Sequence, residues 1–166
     1  MLSLFFADQI STGLTQDLLG DEAHHASKVL RLNLGEQIKI SDGKGSWVSG
    51  PITEIEKKTL TIAISDRGAS AVVTPEIVLV QAVTKSDRNK EMRELAVGAG
   101  VDRIIPWQSE RSISKWQSDS YSKWETGIKE ACKQARQVRL PELNKVMNTN
   151  EISKLFAQNS RGFVFH

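Results

Sequence analysis

The sequence contains few of the residues that disulfides, membrane spans and metal sites require. A single cysteine, Cys132, excludes an internal disulfide and is typical of a reducing cytoplasm. No apolar run approaches the roughly 18–20 residues that cross a bilayer, and the start MLSLFFADQI lacks the basic region of a signal peptide. No Cys/His spacing fits a metal ion. These absences predict a cytoplasmic protein with no membrane segment and no metal.

Charge is nearly balanced over the whole chain but is unevenly distributed. The net charge is +2, yet residues 1–70 contain 7 basic and 9 acidic side chains, whereas residues 71–166 contain 15 and 11. The basic excess of the second part is compatible with a phosphate-rich partner. Basic regions without nucleic-acid function are also common, so charge alone does not decide the function.

The first 65 residues predict mostly β-structure with one early helix. LSLFF is strand-like, and GDEAHHASKVLRL predicts a helix that Asp21 caps. The apolar face of this helix is predicted to consist of Ala26, Val29 and Leu30. Residues 36–65 alternate apolar and polar side chains, with turns at DGKG and EKK, which predicts a small antiparallel meander or barrel. DRGASAVVTP, residues 66–75, predicts a linker.

Predicted strands alternate with helices from Glu76 onward. EIVLVQAVT is a continuous apolar run, as in a strand covered on both faces, and VDRIIPW and the final RGFVFH are further strand candidates. DRNKEMRELAVGAG, DSYSKWETGIKEACKQAR and EISKLFAQ predict helices, the last with the capping-box spacing of Asn148 and Glu151. The predicted stripe of the first of these helices is Met92, Leu95, Ala96 and Ala99. This order predicts a parallel sheet with packed helices, and an α+β protein overall.

Three charged side chains follow the first strand of the predicted parallel sheet: Lys85, Asp87 and Arg88. Open α/β sheets bind ligands beyond the carboxyl ends of their strands, so these residues are candidates for an anion site. The alternative is a helix N-terminus that Ser86 or Asp87 caps, with two solvated cations. Arg88 opposes the helix dipole, which favours a phosphate contact.

The longest predicted helix places cations opposite its apolar stripe. Lys129, Lys133 and Arg136 are spaced i, i+4 and i+7, and Arg139 follows just beyond. The apolar stripe is Trp124, Ile128, Ala131, Cys132 and Ala135. Such a charged face is usually solvated, but a row of cations without matching acids can also follow a nucleic-acid backbone.

Two further motifs favour structural roles. For His24 and His25, a surface or half-buried structural role is favoured over catalysis. DGKGS lacks the spacing of a Walker phosphate loop and lies between predicted antiparallel strands, which favours a hairpin turn.

Four segments, taken in order, resemble a known family. HHASKVLRLNLGEQIKISDGKGS matches the pattern H-x-x-x-V-L-R-x-x-x-G-(D/E), followed by a D-G turn. QAVTKSDRNKEM matches K-(G/S)-D-R, and GVDRIIPW with SERSISKW matches a strand followed by E-R-S. KWETGIKEACKQARQVRLPEL matches a helix with E-A-x-x-Q and a terminal R-x-P-E. Together they resemble the RsmE family, SPOUT-class methyltransferases that modify N3 of a uridine in 16S ribosomal RNA (the m3U1498 type).

The resemblance implies a small β-barrel, a PUA-like RNA-docking module, over residues 1–70. It implies the first part of an α/β parallel-sheet SPOUT domain of the trefoil-knot type over residues 71–166. It also implies S-adenosylmethionine as cofactor, 16S ribosomal RNA or the small ribosomal subunit as partner, and a homodimer when the protein is complete. The candidates for RNA contacts are Lys85, Arg88, Arg111, Lys133, Arg136, Arg139, His25 and Arg31. The family motifs imply structural roles for Asp87, Glu110, Ser112 and Gln134. No catalytic base is assigned.

The sequence also departs from the family pattern. Gly98 stands where the family usually has an acidic residue, and Gln137 where it has an arginine, although Arg136 is adjacent. The glycine-rich P-E-G-G loop and the L-G-x-R-I-L-R-x-E-T-A segment of the cofactor-binding knot do not occur before His166. We therefore expect no cofactor site within these residues, an inactive isolated chain and uncovered apolar surface. The alternative is a non-catalytic RNA- or ribosome-binding PUA-like module with a degenerate SPOUT remnant.

Overall fold

The chain forms two compact units. The computed structural model describes residues 2–159 and 161–164, without the side chains of residues 86, 87 and 157–159. The first unit comprises Met1–Thr74 with Lys129–Leu140, and the second comprises Pro75–Ile128 with Pro141–His166. The predicted division between residues 70 and 71 did not anticipate that Lys129–Leu140 packs with the first unit.

The first unit is built around a six-stranded sheet within the described residues. Its strands are β1 (Ser3–Phe6), β2 (Thr15–Leu19), β3 (Gln37–Ser41), β4 (Ser46–Ile55), β5 (Thr59–Ala63) and β6 (Asp66–Ala69). The order is β1-β3-β4-β5-β2, and β6 pairs with β4. β3, β4 and β5 are antiparallel, which confirms the predicted meander, whereas β1 runs parallel to β3.

Alternate side chains of these strands form the core of the first unit. The fully buried apolar strand residues of this core are Phe5, Leu18, Ile38, Ile40, Val48, Ile52, Leu60 and Ile62. Because side chains of a strand alternate between faces, the period-2 pattern of the sequence places these core residues in one interior. Each such burial contributes about 1.5–3 kcal/mol relative to exposure.

The early helical segment differs from its prediction. Helix α1 (Gly20–His24) continues into a π-helical turn, His25–Val29, and Leu19 rather than Asp21 occupies the N-cap position. Within the predicted apolar face, Ala26 is buried, but Val29 is 60% and Leu30 45% exposed. The π-turn inserts extra backbone, which rotates the following side chains away from the face that a 3.6-residue period predicts.

The predicted linker begins with a strand. Asp66–Ala69 forms β6 along β4, with Trp47 packed against Gly68 and the Arg67 guanidinium donating to the carbonyls of Ser11 and Gly13. Residues 70–75 belong to no helix or strand and are exposed. The small, polar residues of DRGA did not predict a strand, because this strand is held by backbone pairing and side-chain hydrogen bonds.

The second unit contains a three-stranded parallel sheet in the order β7-β8-β9. These strands are β7 (Val78–Ala82), β8 (Arg103–Trp107) and β9 (Glu142–Leu143), and the helices are α2 (Ser86–Gly98) and α4 (Thr149–Asn159). Helix α3 (Ser120–Ala135) begins in this unit, and its residues from Lys129 onward belong to the first unit. The parallel sheet confirms the predicted β-α-β order. None of the described helices is long and apolar enough to cross a membrane.

Burial in the second unit corrects two sequence expectations. β7 is not covered on both faces: Val78 is exposed and the rest of the strand is half-buried, because β7 lies at an edge of the described sheet. The buried face of α2 consists of Asn89, Ala96 and Val97. The predicted stripe residue Leu95 is 67% exposed.

The long helix and the final residues also differ in part from expectation. On α3, the stripe is buried as predicted except for Ala135, which is exposed. Trp124 is a core residue, with the Arg93 guanidinium 5.9 Å from its ring. Residues 161–164 of the predicted final strand form no strand, and Phe165 and His166 lie outside the described residues.

The helix termini follow local sequence signals. At α4 the Asn148 amide donates to the Glu151 carboxylate (2.7 Å) and the Glu151 amide donates to Asn148 Oδ1 (3.1 Å), which confirms the predicted capping box. α2 ends in a Schellman motif, in which Gly100 has φ +75° and the Val101 amide donates to the Ala96 carbonyl.

Replacing Gly50 with alanine should destabilise the first unit, because the added Cβ would overlap the backbone carbonyl of Ala63. We expect a loss of about 3 kcal/mol in the free energy of unfolding. The matched control is Gly98→Ala, where nothing lies within 4 Å of the added Cβ and helix propensity should add up to about 1 kcal/mol. Urea denaturation measures both, and equal stability of the two variants would contradict the packing of β4 on β5.

Candidate functional site

The carboxyl ends of the three parallel strands meet at one edge of the second unit. There the Val83 amide donates to the Trp107 carbonyl, and the Gln108 amide donates to the Met147 carbonyl, each at 2.9 Å. These bonds bring together the segments that follow β7, β8 and β9. Ligands of open α/β sheets bind at such an edge, which makes it the candidate site of this unit.

The segment after β7 is held by a buried amide. Asn89 Nδ2 donates to the Thr84 carbonyl (2.8 Å), and the Thr84 hydroxyl donates to Asn89 Oδ1 (2.7 Å). Helix α2 begins at Ser86, so Lys85 occupies the N-cap position, and both Lys85 and Arg88 are exposed. The predicted cap and orienting roles of Ser86 and Asp87 concern side chains outside the described part of the structure.

The segment after β8 carries the E-R-S motif on a loop that Gln108 organises. Gln108 Oε1 accepts a hydrogen bond from the Trp116 amide (2.8 Å), and its Nε2 donates to the Ser114 carbonyl (3.2 Å). The Ser112 and Ser109 hydroxyls are hydrogen-bonded to each other at 2.8 Å. The neighbouring Glu110 and Arg111 are exposed, so their side chains are available to a ligand.

A shallow depression of about 300 Å³ lies where the β8 loop meets helix α4. Its lining residues are Trp107, Ser109, Glu110, Arg111, Thr149 and Asn150. The Trp107 indole donates to the Thr149 hydroxyl at 3.2 Å, which fixes the indole beside the helix N-terminus. Sequence reasoning missed Trp107, Thr149 and Asn150, whose proximity follows from strand order and not from any local motif.

Lys133 does not present its charge to solvent. Its ammonium lies 2.8 Å from Glu22 Oε1 and 2.9 Å from Glu130 Oε1, and the side chain is only 9% exposed. Lys129 lies 3.2 Å from the same Glu22 oxygen. Lys133 is therefore neither solvated nor without matching acids, because Glu22, which is remote in sequence, reaches it through packing of the first unit.

The protonation of this cluster follows from opposing effects. Burial disfavours the charged form of Glu22, but the hydrogen bonds and charges of Lys133 and Lys129 outweigh it and lower the pKa of Glu22. Burial likewise disfavours the charged ammonium of Lys133, but Glu22 and Glu130 outweigh it and raise the pKa of Lys133. The cluster is therefore ionised at neutral pH and acts as a structural ion pair.

The remaining cationic candidates of the first unit differ in their burial and in the hydrogen bonds that their side chains make within the fold. Arg139 is half-buried, and its Nη2 donates to the Ser70 carbonyl at 2.7 Å. Arg136 is exposed, and its Nη1 donates to the Lys133 carbonyl at 2.9 Å. Arg31 is exposed and forms no ion pair with an acid among the described residues. These arginines thus include one that supports the fold and two that reach solvent.

Three other predicted residues have clear positions. His25 is half-buried, and its ring centroid lies 6.4 Å from that of Phe5 in an edge-to-face arrangement. Gln134 is exposed on α3. Burial raises the pKa of the Cys132 thiol to about 12, so the thiol stays protonated at neutral pH and unreactive.

Replacing Glu22 with glutamine should destabilise the chain by about 1–3 kcal/mol at neutral pH, because Lys133 loses one of its two carboxylate partners. The folded pKa of Glu22 lies below its ordinary 4.5. The stabilisation is therefore present above that pH and is lost as pH falls through the folded pKa. Thermal unfolding between about pH 7 and pH 3 should show the difference from wild type shrinking in acid.

Glu54→Gln removes an exposed carboxylate from β4 and is the matched control for Glu22→Gln. It should change stability by less than about 0.5 kcal/mol at any of these pH values. A Glu22→Gln protein that matched this control at neutral pH would contradict the structural role of the ion pair.

Comparison with known proteins matches both parts of the chain. The family model described as an RNA methyltransferase domain matches residues 73–166, and the model described as an RNA methyltransferase PUA domain matches residues 18–65. Along the chain, the PUA match precedes the methyltransferase match. The methyltransferase match alone covers more than half of the chain.

Two curated relatives are both named ribosomal RNA small subunit methyltransferase E. The Mycobacterium bovis protein is 31% identical over 151 residues, a stretch that covers 88% of this chain and 58% of that protein. The Bacillus subtilis protein is 24% identical, with 89% and 58% covered. The chain thus spans somewhat over half the length of these relatives.

Solved structures share the fold. The Neisseria gonorrhoeae enzyme of the same name, solved bound to S-adenosyl methionine, is 26% identical with a TM-score of 0.80, covering 92% of this chain and 65% of that one. A Legionella pneumophila methyltransferase structure, 22% identical, also has a TM-score of 0.80 and covers 93% and 66%. From the family match, the relatives and the shared mixed α/β fold with its PUA-type N-terminal part, we conclude that the chain belongs to the RsmE family of RNA methyltransferases.

Proposed function

We propose that the protein takes part in methylation of N3 of a uridine in 16S ribosomal RNA, with S-adenosylmethionine as methyl donor. The observation that carries this proposal is the methyltransferase match over residues 73–166, preceded by a PUA match over residues 18–65. Relatives named as small-subunit ribosomal RNA methyltransferases support the substrate, and the gonococcal structure bound to S-adenosyl methionine supports the donor. A cytoplasmic location, action on the small ribosomal subunit, a trefoil-knot SPOUT domain and a homodimer belong to the same proposal.

The proposed RNA contacts at the carboxyl edge of the parallel sheet are Lys85, Arg88 and Arg111. All three are exposed, and they lie on segments that Asn89 and Gln108 hold in place. Cations fixed on rigid segments neutralise RNA phosphates with little loss of their own conformational freedom. The second unit would thus position the RNA backbone, and contacts of this kind carry no sequence information by themselves.

The first unit contributes further proposed contacts, although not all predicted residues serve equally. Arg31 and Arg136 reach solvent, whereas His25 and Arg139 have part of their surface engaged in the fold. Lys133 is left out of the proposed RNA surface, because two carboxylates already neutralise it. An RNA phosphate that contacted Lys133 would gain little binding free energy, because the ion pair would have to be desolvated further.

None of the described residues is assigned to the methyl donor. The depression beside Trp107 is shallow and about 300 Å³ in volume, and it does not enclose a nucleoside. When bound, S-adenosylmethionine supplies an electrophilic methyl group. The chain's described residues would hold the RNA so that the uridine is aligned, and the proton of uridine N3 must pass to a base that none of them is shown to provide.

Methylation of the RNA provides the direct test. The complete gene product, S-adenosylmethionine and small ribosomal subunits lacking the modification should yield a methylated uridine. A methyl group at N3 blocks Watson–Crick pairing, so reverse transcription should stop one nucleotide before the modified base. RNA binding without such a stop would instead support the non-catalytic alternative.

Calorimetry tests whether these 166 residues hold the donor. Titration of S-adenosylmethionine into the 166-residue chain should show no binding in the micromolar range, because the described residues form no enclosed nucleoside cleft. The Neisseria gonorrhoeae relative that was solved bound to S-adenosyl methionine is the positive control and should bind. Micromolar binding by the 166-residue chain would contradict the prediction.

Replacing Lys85 and Arg88 together with alanine should weaken RNA binding and flatten its salt dependence. Loss of two phosphate contacts on a single strand should reduce the slope of log K against log salt by about 1.4. The matched control is Lys57→Ala with Lys58→Ala, which removes the same charge from the exposed turn between β4 and β5. Fluorescence anisotropy at several salt concentrations measures the slope, and an unchanged slope would remove both residues from the RNA surface.

A further inference from the structure

Two uncommon backbone conformations lie next to each other in the first unit. Residues His25–Val29 form a π-helical turn, in which the Leu30 amide donates to the His25 carbonyl at 2.9 Å. Arg31 follows directly with φ +53°, in the left-handed region. π-turns and left-handed non-glycine residues both occur preferentially at functional sites.

Arg31 stands where the chain leaves the helix, a position that glycine usually fills. The Leu32 amide closes this exit by donating to the Ala26 carbonyl at 3.1 Å. Five other described residues with positive φ are glycines, and the remaining one is Arg136. The Arg136 guanidinium caps its own helix at the Lys133 carbonyl, so a local contact explains that arginine.

The Arg31 side chain has no comparable local contact. It is exposed and makes no hydrogen bond or ion pair to another residue of the described structure. The backbone strain of a left-handed arginine is therefore not offset by contacts of its side chain within the fold. A ligand outside the chain would account for an arginine at this position.

The surface around Arg31 combines positive charge with exposed aliphatic side chains. We call residues Lys28–Leu34 the 28–34 segment. Its exposed apolar residues are Val29 (60%), Leu30 (45%) and Leu34 (64%), and its cations are Lys28 and Arg31. No carboxylate lies between Glu22 and Glu36 in sequence, and Glu36 Oε1 is occupied by the amide and side chain of Asn33.

We propose that the 28–34 segment binds single-stranded RNA, with Arg31 on a phosphate and Val29 and Leu30 against an unpaired nucleotide. This inference rests on the proposed RNA-binding function and adds the kind of RNA. Double-stranded RNA presents phosphates and 2′-hydroxyls in its shallow groove, which gives aliphatic side chains little to pack on. Unpaired nucleotides expose the apolar faces of their bases, which suits a segment with both cations and aliphatic residues.

Two variants separate the charged contact from the apolar contact. Arg31→Gly should lower affinity for single-stranded RNA, reduce the salt slope by about 0.7 and leave Tm unchanged or higher, because glycine tolerates this φ. Val29→Ser with Leu30→Ser should lower single-strand affinity at an unchanged salt slope and leave duplex affinity unchanged. Lys57→Ala, which removes one exposed cation from the turn after β4, is the charge control and should match wild type.

The measurements are fluorescence anisotropy with a single-stranded and a duplex RNA of equal length, together with thermal unfolding. Arg31→Gly with wild-type affinity and slope would overturn the inference, and a fall in its Tm would show that Arg31 serves the fold. Serine variants that keep RNA affinity but shift sedimentation would assign the aliphatic residues to a contact between copies of the chain. A wild-type chain and gene product that bind no RNA would instead refute the proposed function itself.

Discussion

The ion pair of Glu22 with Lys133 is the interaction on which the arrangement of the first unit depends. It joins the start of the early helical segment to residues 129–140, which lie more than a hundred positions later in sequence. Around it, Ser41 Oγ donates to the Val138 carbonyl (2.6 Å), and the Leu140 amide donates to the Gly43 carbonyl (2.8 Å). A late segment thereby becomes part of an N-terminal unit through one largely buried ion pair and a few backbone contacts.

Basic residues of the chain fall into two groups, those engaged within the fold and those exposed to solvent. Lys133, Lys129 and Arg139 have their charge or donors engaged within the first unit, whereas Lys85, Arg88 and Arg111 of the second unit are exposed. An engaged cation stabilises the fold and offers little to a polyanion, since its charge is already neutralised. An exposed cation contributes little to stability and remains available for phosphate. Net charge therefore overstates the surface that RNA could use.

At the π-turn of His25–Val29, helical periodicity did not predict which side chains are buried. A regular helix would have buried Val29 and Leu30, and the sequence pattern predicted that burial. The extra residue in the turn exposes both side chains and is followed by Arg31 in a left-handed conformation. Local propensity does not reveal a π-turn, because it depends on how the helix packs on the sheet. The segment that departs from helical periodicity is therefore also the candidate RNA-binding surface.

Sequence alone determined the features that repeat locally or that match a family pattern. The antiparallel strands β3 to β5, the parallel order of β7 and β8, the capping box of α4 and the RsmE resemblance all follow from spacing of residue types. Only the tertiary structure decided that Asp66–Ala69 is a strand, that Lys133 is buried by Glu22 and that Trp107 lies beside Thr149. Each of these depends on a partner more than fifteen residues away, and the free energy of such a contact is set by packing rather than by the neighbours of a residue in the chain.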